Sequence, residues 1–174
     1  CVKIKKMASS KLVLKKFDLE SLKPDRSILC LGRTGCGKTT LVYHLASLLS
    51  KNNVTFGLAI TPSIDTQMMF RKFLPRCLVR GDFCEGVLQA LLDHQKSVFE
   101  RTGTLNKVAI FLDDLGYNKS IFKTNVIREI FMNGRHLGIT LIIAMQYMMD
   151  VTPDIRCNTG YIFAFADQVR KNRQ

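Results

Sequence analysis

Short apolar runs alternate with longer stretches of helical periodicity along most of this chain. SILCL at 27–31 and KVAIFL at 107–112 are unbroken apolar runs. That is the pattern of strands covered on both faces, as in a parallel sheet, rather than of half-exposed antiparallel strands. Further strands are expected at 54–60, with Pro62 marking the exit, at 77–79, at 137–145 (LGITLIIAM) and at 161–165. Between them the spacing predicts helices. One covers 38–50, with Leu41, Leu45, Leu48 and Leu49 on one face. Others cover 64–73, 85–100 and 121–132, the last closed by Asn133 and Gly134. Strand and helix in alternation read as βαβ units, hence an α/β fold with a mostly parallel central sheet flanked by helices. Residues 1–26 read as a basic lead-in with one edge strand at 11–17, and residues 27–174 as one domain, shortened at its C-terminal end. No apolar run reaches the length of about 18 residues that a membrane span requires.

Composition narrows the class. A chain of 174 residues with 47% apolar and 23% charged positions fits one globular domain that buries a core, not a disordered segment. The six cysteines show neither paired C-x-x-C spacing nor a histidine partner pattern. Neither a zinc site nor a disulfide framework is expected; the compartment reads as reducing and Cys30 as a buried strand residue. The chain begins at Cys1 rather than a methionine, which leaves open a start at Met7 or residues preceding Cys1. Net charge is +12, from 26 Lys and Arg against 14 Asp and Glu. A polyanionic partner, most simply nucleic acid, accounts for such an excess. A solubilising surface is the plainer alternative.

The chemistry starts where the first strand ends. Gly32-Arg33-Thr34-Gly35-Cys36-Gly37-Lys38-Thr39 fits the P-loop pattern G-x-x-x-x-G-K-S/T in full, between an apolar strand and an amphipathic helix. Glycines let backbone N–H groups wrap a phosphate closely, and the following helix directs its positive end at the same anion. Lys38 is expected to reach the β- and γ-phosphates of ATP, the Thr39 hydroxyl to ligate Mg2+, and Thr40 to add a hydroxyl near the α-phosphate. Cys36 reads as a small loop filler. The run VAIFLDD at 108–114 carries two carboxylates at a strand's carboxyl end, where ligands of parallel sheets bind. Asp113 is expected to hold the magnesium and Asp114 to polarise the attacking water, or else to cap the next turn. Gln146 closes another apolar strand and is a candidate to sense the γ-phosphate, against simple strand termination. Arg135 is a candidate to supply a cation to a neighbouring subunit's phosphate, with Arg156 as the competitor. His136 reads as structural. Arg71, Lys72, Arg76 and Arg80 cluster in sequence as candidate DNA-phosphate contacts.

The order of these parts resembles the FtsK–HerA superfamily of DNA-pumping P-loop ATPases, of the ASCE or RecA-like type. Most similar is the poxvirus-type genome-packaging branch of nucleocytoplasmic large DNA viruses. The resemblance runs through the P-loop, VAIFLDD, NGRHLGITLIIAMQY and DIRCNTGYIFAF, roughly residues 17–166, with Gly134-Arg135-His136 to Gln146-Tyr147 as its most specific piece. It implies ATP-driven translocation of double-stranded DNA into a capsid by a homo-oligomeric ring, a hexamer, with capsid or portal-vertex proteins as partners. Host cytoplasm or virion is then the location. Alternatives are a cellular HerA- or FtsK-like translocase or helicase, and a nucleotide-binding assembly switch. Asp114 stands where the wider superfamily often has glutamate.

Overall fold

The computed structural model describes residues 15–166 apart from Asn52, Thr55 and Tyr117. Among the described residues, six strands form one sheet in the order β3-β2-β4-β5-β1-β6. They are β1 (Ser27–Leu31), β2 (Phe56–Ile60), β3 (Val79–Arg80), β4 (Val108–Asp113), β5 (Ile139–Met145) and β6 (Tyr161–Ala164). Every pairing between neighbours is parallel. The expected α/β class with a parallel sheet therefore holds. Its strand order inserts β5 between β1, which feeds the glycine loop, and β4, which carries the aspartates. That insertion is the arrangement meant by the ASCE type.

Helices cover both faces. α1 (Lys38–Lys51) and α2 (Ile64–Phe70) lie on one side, where Val42, Leu45, Leu49 and Phe70 pack with Ile28, Cys30, Ala109, Phe111, Ile142 and Ala144. α3 (Glu85–Thr102), α4 (Asn125–Asn133) and α5 (Pro153–Cys157) lie on the other. Leu88, Leu92, Ile127, Ile130 and Ile155 there pack with Leu29, Leu58, Ile110, Leu112, Leu141 and Ile143. Side chains of a strand alternate between faces. In β4, Ala109 and Phe111 thus join α1 and α2, and Asp113, two residues further on, points into the same layer. A slip of one residue would send it to the opposite face.

Several expected boundaries move. The helix expected at 121–132 is two pieces, a 3-10 turn at Lys119–Lys123 and α4 from Asn125. Asn118 caps the turn through Ser120 N, and the Thr124 hydroxyl donates to Ile121 O, so local side-chain bonds compete with a continuous helix. Gly134 does not close the helix: Gly134–Leu137 continues as a 3-10 turn, and the stop comes at Gly138, where φ is +67°. The next strand accordingly starts at Ile139, not Leu137. The strand expected at 77–79 is a 3-10 turn followed by the two-residue β3. The helix expected at 64–73 ends at Phe70, and no apolar pattern in the sequence predicts α5. Of the edge strand expected at 11–17, residues 11–14 lie outside the described residues and residues 15–17 have no strand pairing. No described helix is long and apolar enough to cross a membrane.

Candidate functional site

The carboxyl ends of β1, β4 and β5 converge on one cavity of about 320 Å³, lined by Thr34, Gly35, Gly37, Lys38, Thr39, Thr40, Ser63, Thr66, Asp113 and Asp114. The glycine loop is anchored to the sheet: Gly32 N donates to Met145 O at 3.1 Å, and beyond β6 Phe165 N donates to Leu31 O at 2.8 Å. A Cβ on Gly32 would fall 2.6 Å from Cys36 Sγ and 2.8 Å from Phe165 Cβ, so close approach, not φ, demands glycine there. Gly37 is different, with φ at +97°, a conformation in which its N–H turns inward just before α1 begins. Lys38, only 7% exposed, donates from Nζ to Arg33 O at 2.8 Å, so the ammonium lies back over its own loop. Arg33 itself is exposed, and Thr40 opens onto solvent at the cavity's edge.

Thr39 on α1 donates its hydroxyl to Asp113 Oδ2 at 3.4 Å across 74 residues of sequence. Asp113 is 2% exposed, and its other oxygen, Oδ1, is buried with no protein partner. Burial, and after it the charge of Asp114, pushes the Asp113 carboxyl up to about 6. The Thr39 hydroxyl, Lys38 and, more weakly, the Thr66 hydroxyl pull the other way. Burial also pushes the Cys30 thiol beneath the loop up to about 12, with Asp113 adding to the rise, which leaves that cysteine un-ionised. All five described cysteines are free, and Cys30 is buried as expected. Asp114 has φ at +54°, and its N–H donates to Ala144 O at 3.2 Å. Strand alternation alone would turn Asp114 towards the α3–α4 layer; the left-handed backbone brings its exposed side chain to the cavity instead.

Gln146, at the end of β5, donates from Nε2 to Thr34 Oγ1 in the glycine loop at 3.2 Å. Sequence reasoning misses Ser63 and Thr66, which reach the cavity from the first turn of α2. Their signal is legible all the same: polar residues right after a buried parallel strand occupy the ligand end of the sheet.

Arg135 is elsewhere. It lines a separate cavity of about 310 Å³ with Asp25, Ser27, Ile139 and Gly160, at the starts of β1, β5 and β6. Seven strand residues at about 3.3 Å each separate it from Gln146, so about 20 Å lies between Arg135 and the glycine loop of its own chain. Arg156 on α5 donates to Met149 Sδ at 3.7 Å, beside the turn that follows Gln146. Arg71, Lys72, Arg76 and Arg80 are all exposed, between the end of α2 and β3 at the sheet's far edge.

Chemically, the cavity combines inward amides, one ammonium and a hydroxyl–carboxylate pair. Such a set takes a polyphosphate together with a hard divalent cation. The free, buried Oδ1 of Asp113 fits the hydration shell of magnesium, which uses one or two carboxylates plus phosphate oxygens rather than a protein cage. No cluster of three or more metal-binding side chains occurs among the described residues, as that mode of binding needs none.

No protein-family model matches the chain. In sequence it is similar to an uncharacterized protein of Acanthamoeba polyphaga mimivirus, 28% identical, over 97% of this chain and 62% of the relative. It is also similar to uncharacterized proteins of Invertebrate iridescent virus 6, 26% identical over 83% and 56%, and of Frog virus 3, 27% identical over 95% and 52%. The chain thus spans between half and two thirds of the length of these curated relatives. In structure it is similar to the DNA-packaging ATPase of Sulfolobus turreted icosahedral virus, with a TM-score of 0.63 and 19% identity over 87% of this chain and 80% of that one. The genome-packaging NTPase of Sulfolobus turreted icosahedral virus 2 in complex with AMPPCP gives a TM-score of 0.58 at 17% identity, over 86% and 79%. The cytoplasmic domain of EssC gives 0.63 at 13%, over 86% and 34%. At these identities the likeness is one of fold, that of P-loop NTPases.

Proposed function

We propose that this chain is the core of an ATP-hydrolysing motor that moves double-stranded DNA, working in the packaging of a viral genome into its capsid. The observation that carries the reading is the convergence of Lys38, Thr39 and Asp113 on one cavity beneath a complete glycine loop. Sequence relatives from viruses, the fold likeness to viral packaging NTPases and the net charge of +12 support it. The motor is a ring of identical subunits, a hexamer, soluble in the host cytoplasm or held on the virion, with capsid or portal-vertex proteins as partners. DNA is held by its phosphates and not by base edges.

In this mechanism the loop amides of residues 32–39 bind the triphosphate, and Lys38 turns from Arg33 O to the β- and γ-phosphates. Thr39 and Asp113 would hold the magnesium, whose charge lowers the cost of electron density building on the γ-phosphoryl oxygens. The Asp114 carboxylate accepts a hydrogen bond from the attacking water and then its proton. The Gln146 amide, one hydrogen bond away from Thr34, orients that water as the loop fills. The remaining cation comes from a neighbour's Arg135, which cannot reach the γ-phosphate of its own chain.

The test is ATPase turnover of the full-length protein with and without duplex DNA. Stimulation by DNA of any sequence, falling steeply with salt, is expected. Turnover indifferent to duplex DNA would replace the motor with a nucleotide-driven assembly switch.

A further inference from the structure

The β2–α2 junction has no part in the mechanism above, yet its hydroxyl side chains gather at Asp113. β2 pairs with β4 so that Ile60 lies opposite Leu112, and Thr61 therefore stands at the register of Asp113. Thr61 is fully buried, with a hydroxyl that has no partner. Ser63 and Thr66 line the same cavity as Lys38, Thr39 and Asp113. Ser63 caps α2 by accepting from Thr66 N at 3.4 Å, which uses the backbone of Thr66 and leaves its hydroxyl for another role. That hydroxyl, on a residue 8% exposed, helps to stabilise the charge on Asp113.

We propose that Thr66 is a positioning residue of the nucleotide site: with Thr39 it sets the orientation of the Asp113 carboxylate that leaves Oδ1 free for the magnesium shell. The inference rests on the reading of the cavity as a magnesium–triphosphate site. Thr39 and Thr66 approach that carboxylate from different helices, α1 and α2, so neither replaces the other. Thr39 lies beside the phosphates and is expected to leave Asp113 for the metal on loading, whereas Thr66 is not in the glycine loop and keeps its contact. α2 is itself tied down. Gln67 Nε2 donates to Thr61 O at 3.0 Å, and Arg71 Nη2 donates to Gln67 Oε1 at 3.0 Å, so the hydroxyl is held on a fixed support.

Thr66→Val keeps the shape of the side chain and removes the hydroxyl; Thr66→Ser restores a hydroxyl without the methyl. The measurement is equilibrium binding of ATP by the full chain, by calorimetry, across a magnesium titration, with thermal melting of the nucleotide-free protein in parallel. Thr66→Val is expected to need on the order of tenfold more magnesium for half-maximal ATP binding, the effect of one lost hydrogen bond to a charged group. Binding in EDTA should stay at the parent's level and melting should be nearly unchanged. Thr66→Ser should recover most of the magnesium response. If Thr66→Val follows the parent's magnesium curve, or if Thr66→Ser is as impaired as Thr66→Val, the positioning role falls. If the parent binds ATP with no magnesium dependence, the reading of the cavity falls first and this inference with it. A low melting temperature for Thr66→Val alone leaves Thr66→Ser against the parent as the deciding pair, and a tenfold deficit there overturns the proposal in favour of packing.

Discussion

Burial of Asp113 beside Asp114 makes the site respond to pH in two opposite senses. Its carboxyl titrates near about 6, above the ordinary 3.8, so the folded protein holds a proton that the unfolded chain has released. The stability this contributes is complete below the ordinary value and is lost as pH rises through about 6. Raising a carboxyl that far changes the balance between its protonated and ionised forms by on the order of 3 kcal/mol, which is the size of the loss. Asp113→Asn, which carries no charge to bury, should therefore melt higher than the parent at pH 7.5, by a margin that shrinks towards pH 5. Magnesium-dependent ATP binding needs the ionised carboxylate, so in the parent it should weaken as pH falls through about 6. Asp113→Asn should bind weakly and without that pH dependence. The adjacent carboxylate is expected to act in turnover alone. Asn adopts the left-handed backbone of position 114 as readily as Asp does, so Asp114→Asn changes charge and not conformation. It should bind ATP within about twofold of the parent and lose hydrolysis by roughly 10²-fold or more, as removal of a general base does. Lys38→Ala should abolish most triphosphate affinity while melting like the parent, because the Nζ bond to Arg33 O closes only the loop on itself.

At the scale of elements, α3 is fastened by one buried amide. Gln95, 1% exposed, donates from Nε2 to Asn106 O at 2.7 Å and to Leu137 O at 2.8 Å, tying α3 to the segments that enter β4 and β5. Gln95→Leu leaves two carbonyls without that partner and should lower stability by roughly 2–4 kcal/mol, read from denaturant unfolding. ATP affinity per folded molecule should not change, because α3 contributes nothing to the cavity. Apolar periodicity locates α3 without difficulty but does not say that Gln95 faces inward, since glutamine is ordinarily a surface residue. The same blindness merges two pieces into one helix at 121–132. Apolar spacing there continues through Thr124, and only the side-chain bonds of Asn118 and Thr124 reveal the break.

At the scale of the molecule, Arg135 and the glycine loop occupy opposite ends of β5, so a catalytic cation from Arg135 has to come from a second copy. Arg135→Ala and Lys38→Ala proteins, each inactive alone, should recover part of the ATPase rate when mixed under conditions of subunit exchange. In that mixture some interfaces pair an intact loop with an intact arginine. An arginine supplied in trans is worth about 10³–10⁵ in rate, which leaves a wide window for the recovered signal. No recovery in rings shown to have mixed would leave Arg156, which packs near the turn after Gln146, as the arginine to test next.

The strands, the parallel sheet, the glycine loop and the two aspartates are all legible in the chain alone. Each is a contiguous pattern, with a fixed period or spacing that covalent neighbours enforce. The backbone of Gly37 and the buried state of Cys30 follow from the same local logic. What the sequence leaves open depends on contacts between distant segments. Strand order sets β5 between β1 and β4 and lets Thr39 meet Asp113 across 74 residues. The side of the sheet chosen by α2 brings Ser63 and Thr66 into the cavity. Arg135 reads as close to the site because it precedes the strand that ends in Gln146; a strand carries its two ends apart, and only the fold shows which end the ligand cavity takes.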